Sequence, residues 1–425
     1  MSTQIRVGAA LLALAGLFIA GCNSNSNDAQ VRLLNVSQGY GSLDVYAGSA
    51  QEESAVAYGT VSSYFDLDPG SYTLAFNVNG VTTSLQSLSE TFSEKTFQTF
   101  VAYGDTGSFA TLEIGEDVAT PSSGSADIEL VDAAPDAGPV DVYFTASDTT
   151  LDDASPTFSN VAGGSISSAG FVNIASGTYR MRVTATGSKT DVRLDVASVV
   201  LSSASISSVV ISDTAGGVLV NAMILPQQGS LTVDDNTEAR VRAVSGVSTN
   251  AAVDASVGDT SLLSGAAPNT VGNYSLVAAG TATVSLAVGG TSVSVPEQVL
   301  AGGQDYTLLI WTNATGDTAA SLITEVNAMP ASGDSKIRLV NLMSSLDDPL
   351  SMTVSYTSEA QNVALGGASA FTSVTDGTTI PISVTDATTS ASLYSSSPSL
   401  ASQGVYTLFM FGTAASPVGT LQADR

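Results

Sequence analysis

The feature that most restricts how this chain folds is a strand-turn-strand unit that returns four times. Its clearest copy is Ile128 to Phe144, reading I-E-L-V-D-A-A-P-D-A-G-P-V-D-V-Y-F. Two runs suited to β-structure flank a turn made of Pro135, Asp136, Gly138 and Pro139, residues that fix φ or bond to their own backbone. A unit repeated in this way cuts the chain into modules.

Three landmarks set the register. The first is the column Arg32, Glu129, Arg242, Arg338, followed twelve residues later by Asp44, Asp141 and Asp254; the fourth copy has Ser351 there, one residue further on and without the carboxylate. The second is a glycine before a strand, at Gly70, Gly177, Gly280 and Gly377, which follows the first column by 38, 48, 38 and 39 residues. The long second interval predicts a surface insertion around Asp148 to Pro156, since loops accept extra length at small entropic cost. The third heads a later strand, at Phe97–Phe100, Asp305–Leu308 and Val405–Leu408, with Ser208–Ile211 as the second copy's counterpart.

From Gln30 to Arg425 the pattern is β throughout. Tyr72, Leu74, Phe76 and Val78 alternate with Thr73, Ala75, Asn77 and Asn79, a period of two that places one set on a core face. Each copy holds several short runs separated by turn residues, the signal of a sandwich of roughly 100 residues. The segments 120–125, 226–230 together with Asp234-Asp235-Asn236, and 330–334 have linker compositions, rich in Ser, Gly, Pro and Asp. The expected fold is all-β, with four tandem immunoglobulin-like β-sandwiches at 30–119, 126–228, 237–329 and 335–425. Because the linkers are short and polar and no long apolar stretch is left over, contacts between modules are expected to be small and the units to string out.

Residues 1–21 carry Arg6 and an apolar run from Val7 to Ala20, too short to span a bilayer but suited to a secretory signal. Ile19-Ala20-Gly21-Cys22 resembles a bacterial lipobox, and Cys22 is the only cysteine of the chain. Cys22 is therefore the expected lipidation site, behind a removed signal peptide and ahead of a polar tether, 22–29. The membrane, reached through that anchor, is the first expected partner. Asn23 after the cysteine resembles lipoproteins sorted to the outer membrane, which sets the expected location in the cell envelope.

Charge and composition narrow the chemistry. The net charge is −27, with 39 acidic residues against 12 basic ones, so nucleic acid is not an expected partner. Histidine is absent, which removes Ser-His-Asp and Cys-His catalysis and histidine-ligated zinc. Neither a phosphate-binding glycine loop nor G-x-S-x-G is present. No enzymatic activity, catalytic residue, metal site or cofactor is expected.

Other candidates read as structural. Leu43, Val45 and Ala47 take a core face, which turns Asp44 the other way, and the same parity holds for Asp141 and Asp254; each reads as an exposed or locally bonded aspartate rather than a ligand. The acidic pairs Asp66/Asp68, Asp152/Asp153, Asp234/Asp235 and Asp347/Asp348 lack the spaced D-x-D-x-D-G calcium loop. Trp311, in L-L-I-W, reads as core rather than as a platform for a sugar.

The pattern V-R-x-x-N/D, Pro/Asp turn, V-D-V-Y, x-G-x-Y-T and a later Y-T-L resembles the bacterial domain of unknown function 4397 family, modules often carried on lipoproteins. The resemblance implies immunoglobulin-like sandwiches and no assigned reaction. Similar members commonly have histidine where this chain has Asn35, Asp132, Ser245 and Asn341. The functional expectation is a lipid-anchored, non-enzymatic envelope protein that binds, adheres or scaffolds, with an envelope protein or a glycan as possible ligand. The alternative is a secreted carbohydrate-binding protein or carboxylate-dependent hydrolase using Tyr40, Tyr46 and Tyr143; a clustered aromatic strip beside paired carboxylates would favour it, and scattered tyrosines the first reading.

Overall fold

The computed structural model describes residues 27–248, 250–344 and 348–425. Four β-sandwiches follow one another on a common plan. In the first, an inner sheet holds Thr60–Val61, Ala29–Asn35, Phe97–Tyr103 and Ala110–Gly115 in that order, and an outer sheet holds Ala50–Ala57, Ser42–Ala47, Gly70–Val78 and Ser84–Phe92. Inner sheets of the same kind are built on Ser125–Ala133, Glu238–Gly246 and Asp334–Asn341. Among the described residues the only helical element is a 3-10 turn, Pro135–Ala137, where proline presets φ and Gly138, at φ 67°, ends it.

In every sandwich the first strand pairs in parallel with a strand far along the chain. Arg32 stands opposite Thr99, Glu129 opposite Ser208, Arg242 opposite Thr307 and Arg338 opposite Thr407. Gln30 lies opposite Phe97 while Gly115 lies opposite Gln98, so the chain enters and leaves a sandwich at the same end. The ten or so extra residues of the second copy form the loop 146–157, held where the Lys189 ammonium donates to the Asp152 and Ala154 carbonyls at 2.8 Å.

Both faces of the inner sheets are buried, as parallel strands at a sheet centre require. Val31 and Leu33 join the first sandwich's own core with Leu43, Phe76 and Phe100. Leu34, Val36, Val101 and Ile114 point the other way and pack on Val131, Ala133, Val210, Met223 and Leu225 of the second sandwich. The third and fourth meet likewise through Val244, Leu309, Val340, Leu342, Phe409 and Phe411. The expectation of small contacts and a strung-out array is therefore wrong. The side chains that join the modules are every second residue of the core strands themselves, so no separate apolar stretch betrays them.

The sandwiches thus pack in pairs, first on second and third on fourth, through equivalent faces as in a two-fold interface. The pairs are tied together as well. The loop after Asp213 reaches the third sandwich, where the Thr214 hydroxyl donates to the Gly303 carbonyl at 2.8 Å and Asn327 N donates to the Gly216 carbonyl at 2.9 Å. Gly217, at φ 81°, passes so close that a Cβ would lie 2.3 Å from the Ala328 nitrogen. Arg425 donates to the Gly217 carbonyl at 2.5 Å, and Met329 N to Asp136 Oδ1 at 2.8 Å. The segment read as a linker after residue 228 contains a strand, Thr232–Asp234, which adds to the outer edge of the second inner sheet. Trp311 lies at the junction of the third and fourth sandwiches, against Gly366, instead of inside one core.

Candidate functional site

The most developed polar constellation sits on the joined faces. An arginine on the first strand, a threonine opposite it on the parallel strand and an acid at the end of the last strand or one residue past it come together: Arg32, Thr99 and Glu116; Arg242, Thr307 and Glu325; Arg338, Thr407 and Asp424. The arginine follows from strand parity, since its neighbours at one residue's distance fill the core. An aromatic ring covers each guanidinium, Tyr64 at 4.5 Å, Tyr274 at 4.6 Å and Phe371 at 4.6 Å. The second sandwich departs from the set, with Glu129 and Ser208, whose hydroxyl donates to the carboxylate at 2.6 Å. Burial, only partly opposed by that bond, pushes the Glu129 carboxyl up.

Between the third and fourth sandwiches the sets exchange partners. Arg242 Nη1 meets Asp424 Oδ1 at 2.5 Å and Arg338 Nη2 meets Glu325 Oε1 at 2.6 Å, with all four side chains almost fully out of solvent. Burial works to raise the Glu325 carboxyl, but the guanidiniums of Arg338 and Arg242 and the Thr307 hydroxyl outweigh it and hold the group below its ordinary value. Between the first and second sandwiches Arg32 grips its own Glu116 at 2.9 Å and donates across the joint to the Gly229 carbonyl at 2.8 Å. These carboxylates are bridged by cations and closed to water, so they cannot serve as a general acid and base. What they fix is the angle and register at which one sandwich docks on the next, the best-attested use of a buried ionic group.

The aspartate column is local structure. Each stands opposite a β-bulge in the strand that follows its own in the chain. Asp44 accepts from Ala55 N at 2.8 Å, Asp141 from Asn160 N at 2.8 Å and Asp254 from Gly265 N at 2.7 Å. The donors are the bulge residues, with φ of 56°, 51° and 57°. Burial would raise the Asp44 carboxyl, but hydrogen bonds from Asn79, Ala55 and Gly80 hold it below its ordinary value. Ser351 makes the weaker equivalent bond to Asn362 N, at 3.4 Å.

The column Asn35, Asp132, Ser245, Asn341 is wholly buried. Asn35 and Asn341 donate to the Val56 and Val363 carbonyls, each at 3.0 Å, and accept from Ser37 N and Met343 N. Asp132 accepts from Ala134 N at 2.9 Å, but its second oxygen has no partner. Burial lifts its carboxyl to about 8. Burial thus favours the protonated form of Asp132, in a place built for an amide.

The tyrosines do not form a strip. Tyr40 packs edge-on against Phe109, Tyr143 is buried, and Tyr46 is half-buried on the outer sheet. Among the described residues no group of three or more acidic side chains is placed to hold a metal ion. Cys22 and Asp347 lie outside the described residues. A groove of about 570 Å³ runs along the joint of the first two sandwiches, lined by Thr60, Ser62, Tyr64, Gly229, Ser230 and Arg32, but Arg32 is already committed to Glu116, Thr99 and Gly229. The first landmark column did mark the arginines; their acids escaped notice because they lie at or just beyond strand ends that only the sheet register brings alongside.

The family model described as a domain of unknown function, DUF4397, matches residues 29–143 and 239–348. Those two stretches make up more than half of the chain. The chain belongs to the DUF4397 family. Each DUF4397 match runs through one sandwich and on into the opening of the next, Ser125–Ala133 in one case and Asp334–Asn341 in the other. Those openings carry the apolar and charged residues of the joint. No curated protein matches the chain. Among solved structures the Bacillus anthracis TIE protein shows a faint likeness, 8% identical over 92% of this chain and 68% of that one, with a TM-score of 0.15 that bears no argument.

Proposed function

We propose that this repeated-domain protein is a non-enzymatic, lipid-anchored component of the cell envelope, held to the outer membrane through Cys22, whose four sandwiches make one rigid scaffold for binding. The observation that carries this reading is the use of the interior charges: Arg32, Arg242 and Arg338 with Glu116, Glu325 and Asp424 are spent on docking modules. Outer sheets and sheet edges are left to meet a ligand, an envelope protein or a glycan. The scattered tyrosines speak against the carbohydrate-binding and hydrolase alternative. The lipobox and the single thiol are the support for anchoring.

The test is fractionation of cells carrying the natural chain and Cys22→Ala. The natural protein should sediment with membranes and its mature N-terminus should carry acyl mass on Cys22, while the variant should be soluble. An unmodified, longer N-terminus on the natural protein ends the anchoring reading.

A further inference from the structure

The inner sheets end in equivalent strands, Ala110–Gly115, Val220–Pro226, Thr318–Glu325 and Ser416–Ala423. A free edge offers unpaired N–H and C=O groups, and chains usually blunt it with charge, proline, a bulge or a cover. Three of the four are blunted. The first carries Glu113, the fourth carries Pro417, and the second is covered by the chain's own strand Thr232–Asp234. That cover pairs antiparallel, Val233 opposite Met223 and Thr232 opposite Ile224.

Thr318–Glu325, reading T-A-A-S-L-I-T-E, has none of these protections. It pairs with Asp305–Thr312 over its whole length without a bulge, and its one charge, Glu325, is buried in the joint. Leu225 stands opposite Ser208 and Ile323 opposite Thr307, so the positions matching Met223 and Ile224 are Ser321 and Leu322. Beside them lie Ile323 and Trp311, both half-buried at the rim of the apolar joint between the third and fourth sandwiches. The matching rim of the first joint is overlaid by Leu231, next to the covering strand.

We propose that the Thr318–Glu325 edge binds an extended segment of another polypeptide as an antiparallel added strand, with an apolar side chain opposite Ser321 resting beside Trp311 and Ile323. The occupant is neutral or basic, because the chain's net charge of −27 repels acidic segments and a second copy of itself. This rests on the binding-scaffold reading and names the class of partner.

The probe is a synthetic peptide copying residues 229–236 with both aspartates replaced by asparagine, added to the chain from residue 27 onward. Trp311, the only tryptophan, should shift its emission to the blue saturably, and amide exchange should slow in Thr318–Thr324 but not in Ala110–Gly115 or Ser416–Ala423. Ser321→Lys, at a half-exposed edge position, should leave the melting temperature unchanged and reduce binding at least tenfold; a scrambled peptide should not bind. Absence of a saturable response, equal protection at all edges, or dimerisation of the chain through this edge without peptide overturns the proposal. Cys22 fractionation is untouched by any of these results, so the anchoring and scaffold reading stands or falls separately.

Discussion

Arg338 of the fourth sandwich lies 2.6 Å from Glu325 of the third, and neither side chain exposes more than a twentieth of its surface. Removing Arg338 leaves the buried Glu325 carboxylate with Arg242, 3.4 Å away, as its remaining cation. Arg338→Met should cost about 3–5 kcal/mol, read as a fall in thermal midpoint. Adding Glu325→Met removes the under-compensated charge as well, and part of the lost stability should return; a double variant no better than the single would mean that Glu325 matters more to Arg242, Thr307 and Tyr274 than to Arg338.

The same joint sets an acid limit. The Glu325 carboxyl lies below its ordinary value in the folded chain, so its contribution is present above the unfolded pKa and is lost as pH falls through the folded one. Below about pH 4 the third and fourth sandwiches should loosen first, seen as faster amide exchange around Val340 and Phe409 than around Leu43 and Phe76.

Asp132 works in the opposite sense. Its folded pKa of about 8 stands above the unfolded 3.8, so the folded chain holds a proton that the unfolded chain releases, and stability declines as pH rises between those values. Asp132→Asn supplies the amide present at Asn35 and Asn341. It should stabilise the protein at pH 8 by about 1–3 kcal/mol and have little effect at pH 4. Equal effects at both pH values would show that the carboxyl is not protonated.

The turn at Ser355 and Tyr356 holds two non-glycine residues at φ 48° and 68°, where the first and third sandwiches begin the same hairpin with Gly48 and Gly258. Tyr356 is 89% exposed and gains no packing in return. Tyr356→Gly should relieve strain and stabilise by about 1 kcal/mol, raising the midpoint in denaturant. Gly366→Ala should do the reverse by about 1–3 kcal/mol. Its φ is 73° and its new Cβ would fall 2.3 Å from the Trp311 ring, so tryptophan emission should move to the red.

Pairing also changes what folds alone. Residues 126–228 in isolation expose Val131, Val210, Met223 and Leu225, all buried against the first sandwich in the whole chain. That fragment should self-associate, whereas residues 27–236 should sediment as a monomer with a single cooperative unfolding transition.

Much of this was legible in the sequence. Alternation in Tyr72 to Val78 announced strands, the glycine column set the register, and parity turned Asp44 away from the core toward its own backbone. The pairing of sandwiches was not legible, because Leu34 and Val36 look like ordinary members of an apolar run until the parallel partner strand gives that run a second face. Nor was the charged lock. Arg242 and Asp424 stand at opposite ends of the second half of the chain, and only the docking of two finished sandwiches brings them to 2.5 Å.

The meeting of entry and exit at one end of each sandwich, with Gln30 and Gly115 on neighbouring positions of the same sheet, decides how the protein bears a mechanical load. Tension along the chain pulls at the same end of two strands that flank Phe97–Tyr103 and peels each from it one hydrogen bond at a time; it does not slide whole strands past each other. Resistance to stretching then rests with the faces between paired sandwiches, and the first thing a pull undoes is the joint.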